Sequence, residues 1–235
     1  MATKLEHGTM LFEGVVGSRA YKLHTEFSDY DRKGVFLADT RDYLSLTPRS
    51  DFVHIEGDDH TLFELKKFVM LALASNPNVI ELLYLDEYTE MSDIGKELIS
   101  LRDHFLSKKI FDAYGGYAVG QFHRFENGLK KHAANWKNAM HLIRLMYCGL
   151  HALKHREVLV DMTEHREELL AIRAGNCTYE ELKKKYTYLN IEFKKALEST
   201  KLPAKANFHL LDEFVTRVRI EALGKSLEGV NEQDK

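Results

Sequence analysis

Cysteine, proline and long apolar runs are all scarce in this chain, and each scarcity excludes something. Two cysteines, Cys148 and Cys177, cannot build a disulfide framework and suit a reducing compartment. Three prolines, Pro48, Pro77 and Pro203, leave long stretches free to run as uninterrupted helix. No apolar run approaches the roughly 20 residues of a membrane span. The opening, Met1 to His7, lacks the long apolar region of a signal peptide. The reading is a soluble cytoplasmic protein. The net charge of −3 provides no global basic field, so any contact with nucleic acid has to be a local patch. Neither G-x-x-x-x-G-K-[ST] nor G-x-G-x-x-G occurs, which removes the P-loop and Rossmann folds. Twelve histidines yield no zinc set: His151 and His155 are four apart, with no obvious third ligand.

What is present is enough for a substantial core: 44% of residues are hydrophobic and 29% charged. Neither internal repeats nor low-complexity tracts interrupt it. The first third reads as short strands and turns. Residues 9–17 lead as helix or strand into a glycine turn, 18–27 hold a short helix, and 29–38 form a strand. Residues 39–50 connect, and 51–63 read as a strand pair around Gly57-Asp58-Asp59. From Glu64 the apolar period lengthens to that of a helix (Leu65, Phe68, Val69, Ala72), which stops near Asn76-Pro77. After about residue 92 the chain reads as helical throughout: 92–107, 110–131, 133–154, 164–173, 178–199 and 206–223, with a frayed polar tail. Gly115-Gly116 marks a break or a close helix contact. Thr178 and Glu181 have capping-box spacing. The expectation is therefore α+β, a small mixed sheet at the N-terminus followed by a helical bundle, with residues 1–91 and 92–235 as its two parts.

One stretch carries chemistry. Gly17-Ser18 follows the apolar Val15-Val16, and Asp29-Tyr30-Asp31 precedes the apolar Val35-Phe36-Leu37. If a strand starts at residue 29, Asp29 and Asp31 share a face. Two carboxylates that close ionise comfortably only around a cation. Hard divalent ions such as Mg²⁺ take oxygen ligands in this way, alongside phosphates. Gly17 and Ser18 would offer backbone N–H groups and a hydroxyl to a phosphate chain. A third carboxylate is available at Asp59 or Glu64, with Asp59 preferred because it opens a neighbouring strand. Lys137, His141 and Arg144 stand at i, i+4, i+7 on one helix, three potential cations for a phosphate clamp. Tyr117, Gln121 and Arg124 share the face of the preceding helix, where Tyr117 could stack a base. Arg19 could contact phosphate or cap its own turn.

The order Gly-Ser, about ten residues, Asp-x-Asp, apolar strand resembles the DNA polymerase beta-like nucleotidyltransferase superfamily. Gly-Ser-Arg-Ala-Tyr…Ser-Asp-Tyr-Asp-Arg-Lys-Gly-Val-Phe looks most like its RNA-repair-associated branch, found in bacteria and their phages. Lys-Asn-Ala-Met-His-Leu-Ile-Arg-Leu around His141, and Tyr117-Ala118 with Gln121, resemble the same branch. That branch often has glycine where this chain has Lys22, so the nucleotide-facing loop is expected to differ. The resemblance implies transfer of an NMP from an NTP such as ATP to a hydroxyl, on an RNA or tRNA end, inside a bacterial or phage-infected cell. It implies Mg²⁺ or Mn²⁺ at Asp29, Asp31 and Asp59. Gly17, Ser18, Arg19, Lys137, His141 and Arg144 would hold the nucleotide. The rival is a non-catalytic nucleotide sensor or partner-binding relative.

Overall fold

The structure is a computed structural model. It describes residues 4–5, 8–39, 44, 46, 51–55 and 59–233. Most of the expected connector 39–50 and the turn at Gly57-Asp58 lie outside these.

The sheet is mixed. Strands β1 (Lys4–Leu5), β2 (Gly8–Val15), β3 (Arg32–Ala38), β4 (Phe52–Ile55) and β5 (His60–Glu64) lie in the order β1-β2-β3-β5-β4. A short β6 (Glu90–Met91) pairs with the second half of β2, and β1 with its first half. Only β3 and β5 run parallel among these pairs, with Arg32 opposite His60 and Phe36 opposite Glu64. β2 and β3 read as continuous apolar runs because both faces are covered. Leu11, Phe12, Val35 and Leu37 join the main core, while Met10, Phe36, Ala38 and Leu62 form a smaller cluster opposite.

Helix α1 (Gly17–Ala20) is one turn, shorter than the expected 18–27. Thr25 and Ser28 explain the loss: their hydroxyls and backbone groups bond each other and close a turn instead of prolonging a helix. α2 (Leu65–Leu73) begins where Glu64 caps it by accepting from Lys66 N at 2.8 Å. Asn76 caps α3 (Pro77–Ile80), with proline at its first position. α4 (Asp93–Ser100), α5 (Lys109–Lys130), α6 (Trp136–His155), α7 (Arg166–Arg173), α8 (Tyr179–Ser199) and α9 (Phe208–Gln233) follow. The capping box at Thr178 and Glu181 is formed. Gly115-Gly116 does not break α5; a Cβ at Gly115 would meet Phe193 at 3.7 Å. α9 runs ten residues beyond its expected end at 223.

One cluster of buried apolar side chains runs from Leu11 and Phe12 in the sheet through Phe68, Phe105 and Tyr114 to Leu211 and Val218 in α9. The sheet is therefore held against the helices by shared packing. Among the described residues no helix is long and apolar enough to cross a membrane.

Candidate active site

Strand pairing brings three distant segments to one end of the sheet. Because β3 and β5 are parallel, Asp31 and Asp59, each the residue just before its strand, arrive side by side. Arg32 N donates to Asp59 O at 2.9 Å, and Val16 N donates to Asp31 O at 2.9 Å. The chain leaving β2 therefore turns at Gly17 directly beside Asp31. Gly17 has φ +66, and a Cβ there would meet Asp31 Oδ2 at 2.0 Å. Glycine is required on both counts, for backbone conformation and for room.

β3 begins at Arg32 rather than at residue 29. Asp29 and Asp31 thus stand in the approach to the strand, not within it. Arg19 fixes that approach: its guanidinium donates to Ser28 O at 3.0 Å and Asp29 O at 3.3 Å, and lies 3.7 Å from the Tyr30 ring centre. Its side chain is spent on the loop, the second of the two roles open to it in the sequence. Lys22 takes φ +57. A lysine there keeps the backbone conformation that glycine adopts freely, at a cost of about 1 kcal/mol.

Asp29, Asp31 and Asp59 line a cleft of about 770 Å³ together with Gly17, Ser18, Lys137, His141 and Arg144. Glu64 is not among its lining residues. It sits at the far end of β5, where it caps α2 and pairs with Arg219. The helical wall carries Tyr117, Gln121 and Arg124 from α5 and Arg173 from the end of α7.

The three expected cations of α6 differ in kind. Lys137 is exposed. Arg144 is only 4% exposed; its Nη1 lies 3.4 Å from Glu81 Oε2 and its guanidinium 3.8 Å from the Tyr21 ring centre. Tyr21 in turn donates to Glu81 Oε1 at 2.6 Å. Arg144, Glu81 and Tyr21 form the cleft floor, a buried network that ties the Gly-Ser segment to the helices. His141 is not a cation at neutral pH. Burial first, then Arg144, Lys137 and Arg173, push its pKa down to about 3. Arg173, which no local pattern in the sequence singles out, and Arg124 stand with Lys137 as the cations of this wall. Lys33 was more accessible to inference: it continues the period-two spacing of Asp29 and Asp31, and it also lines the cleft.

The neutral His141 has a measurable consequence. The unfolded chain protonates it near pH 6.5, while the folded chain stays neutral until about pH 3. Stability from this group is complete above pH 6.5 and is lost as pH falls toward 3. At pH 5.5 the loss is about 1.4 kcal/mol. Denaturant melts of wild type and His141→Gln at pH 7.5 and 5.5 test this: the variant should lose less stability between them by roughly that amount.

Asp31 shows the opposite strain. Its own desolvation, then a hydrogen bond and charge from Asp59, then the charge of Asp29, raise its carboxyl above the usual range. A cation placed between such carboxylates would favour their charged forms. Among the described residues, no group of three His, Cys, Asp or Glu is already gathered closely enough to hold an ion. The Asp31–Asp59 contact with Asp29 nearby nevertheless supplies hard oxygen donors of the right chemistry.

An acidic strand end facing a cationic helical wall suits a ligand that is a phosphate chain with a reacting centre at one end. The chain belongs to the RNA repair pathway DNA polymerase beta family, whose sequence profile matches residues 2–217. The curated proteins contain no match. Among solved structures, the chain is similar to a nucleotidyltransferase-like protein from Exiguobacterium sibiricum 255-15. That likeness has 13% identity, covers 83% of this chain and 70% of the other, and has a TM-score of 0.34.

Proposed function

We propose that the protein is a divalent-metal-dependent nucleotidyltransferase that moves an NMP from an NTP to a hydroxyl on an RNA end, within a bacterial or phage-infected cell. That Asp29, Asp31 and Asp59 line one cleft, with Asp31 directly beside the Gly17 turn, carries this reading. Residues 1–91 supply the reacting centre, and residues 92–235 close the cleft over it. Asp29, Asp31 and Asp59 would hold Mg²⁺ or Mn²⁺, which stabilises charge on the transferring phosphoryl group and makes the attacking hydroxyl more acidic.

The chain's own residues do the rest. Gly17 and Ser18 stand at the start of α1, where no side chain caps the turn, and their N–H groups serve the triphosphate. Lys137, Arg124 and Arg173 balance its charge from the helical wall. Neutral His141 can accept or donate one hydrogen bond there. Tyr117, 39% exposed on the same wall, provides a face for the base of the incoming nucleotide. The acceptor oxygen forms a bond to the α-phosphorus, the α–β anhydride bond breaks, and pyrophosphate leaves. The hydroxyl proton passes to a cleft carboxylate. RNA as the acceptor is supported by the family to which the chain belongs.

The test is incubation with each α-labelled NTP, Mg²⁺ or Mn²⁺, and a mixed RNA pool. Label should enter RNA with wild-type protein and stay free with Asp29→Asn. Nucleotide binding without pyrophosphate release would instead make the protein a sensor.

A further inference from the structure

Phe27 is the anomaly of the cleft. It lines the opening yet is 93% exposed. An aromatic ring left in water forgoes the stabilisation that burial would supply. Nor is the ring on a loose tip. Ser28 N donates to Thr25 O at 3.1 Å, and Thr25 N donates to Ser28 Oγ at 2.9 Å, closing a turn with Phe27 at its third position. Both flanks are pinned from elsewhere. Arg166 of α7 donates to Lys22 O and, at 3.2 Å, to His24 O; Arg19 donates to Ser28 O and Asp29 O. Four bonds from two arginines hold outward a ring that solvation would favour turning in.

We infer that Phe27 is the stacking platform for the base of the acceptor nucleotide, the one whose hydroxyl attacks. This rests on the nucleotidyl-transfer reading and adds the residue that seats the second substrate. The reason lies in the spacing. Phe27 is two residues from Asp29, which keeps the two within about 7 Å along the chain. A nucleotide carries base and hydroxyl on one sugar, so a base stacked on Phe27 holds its hydroxyl near the carboxylates. The donor triphosphate occupies the Gly17 turn and the helical wall, where Tyr117 is available for its base. The protein has no global positive field, and a base–aromatic contact gives single-stranded RNA affinity without one.

The experiment uses the full chain and a fluorescein-labelled single-stranded RNA 12-mer with a free 3′ hydroxyl. Two readouts are taken, anisotropy binding without nucleotide and label transfer from the preferred NTP. Stacking is worth about 1–3 kcal/mol per base, so Phe27→Ala should weaken RNA binding and raise the KM for RNA roughly tenfold, leaving the KM for NTP unchanged. Phe27→Trp should restore both. Because the ring is exposed, the alanine variant should keep its thermal midpoint, and this is checked first. RNA binding by wild type that Phe27→Ala does not weaken overturns the platform even if transfer proceeds; absence of RNA binding by wild type does the same. A rise in the KM for NTP alone would assign the ring to the donor base and also overturn it. RNA binding that depends on Phe27 without any transfer supports the platform and removes the catalytic reading.

Discussion

Asp31→Asn is expected to abolish transfer while leaving the protein as stable as wild type or slightly more so. The two effects have one origin. In the folded chain Asp31 is partly desolvated and faces Asp59 and Asp29, so its carboxyl is raised above its unfolded value. A carboxyl shifted upward in this way costs stability in full above the raised value, and the cost disappears as pH falls from there to the unfolded pKa. Asparagine removes that cost and can still hydrogen-bond Asp59. Under the proposed function the same change removes a metal ligand, and with it several kcal/mol of transition-state stabilisation, about 10³-fold in rate. The readout that does not depend on turnover is thermal unfolding with and without Mn²⁺. An ion that binds only the folded chain stabilises it by about 2.7 kcal/mol at one hundred times its dissociation constant. Wild type should gain in midpoint, and Asp31→Asn should not. Equal gains by both proteins would show that the ion binds elsewhere.

The second large effect is expected at Arg144. Arg144→Met leaves the Glu81 carboxylate buried at 5% exposure, with only the Tyr21 hydroxyl for a partner among the contacts described above. Breaking a buried pair from one side costs about 3–5 kcal/mol, visible in a urea melt. Arg144→Lys should recover only part, since a lysine cannot also lie flat on the Tyr21 ring. The double variant Glu81→Gln/Arg144→Met should be markedly more stable than Arg144→Met alone, because no buried charge is left unpaired. A single-variant loss under about 1 kcal/mol would remove the network from the account of the cleft floor. Transfer should fall as well, since Tyr21 closes the segment that begins at the Gly-Ser turn.

Much of this site is legible in residue order, because its signals are local. Gly17-Ser18, Asp29-Tyr30-Asp31 and the i, i+4, i+7 cations of α6 are short-range patterns, and a helix places the last of them on one face wherever it sits. The chemical character of those cations is not local. His141 and Lys137 differ by four positions on one helix, but one is half-buried among positive charges and the other is in water. Arg144 belongs to the same stripe, yet it is neutralised by Glu81 from 63 positions away. Arg19 had two roles open to it and Phe27 carried no signal: the turn closed by Thr25 and Ser28 leaves the Phe27 ring in solvent, and the Arg19 guanidinium goes to the carbonyls of Ser28 and Asp29.

The sequence by itself determined the α+β order of elements, the glycine turn and the pair of aspartates, since helix period, strand alternation and turn chemistry act over a few residues. Only the tertiary structure decided that Asp59 rather than Glu64 lines the cleft with that pair. The parallel register of β3 and β5 places the residue before each strand at the same end of the sheet, and it sends Glu64 five residues away to Arg219. Strand register is set by which apolar face is buried against the helices, a condition that exists only once the whole chain has packed.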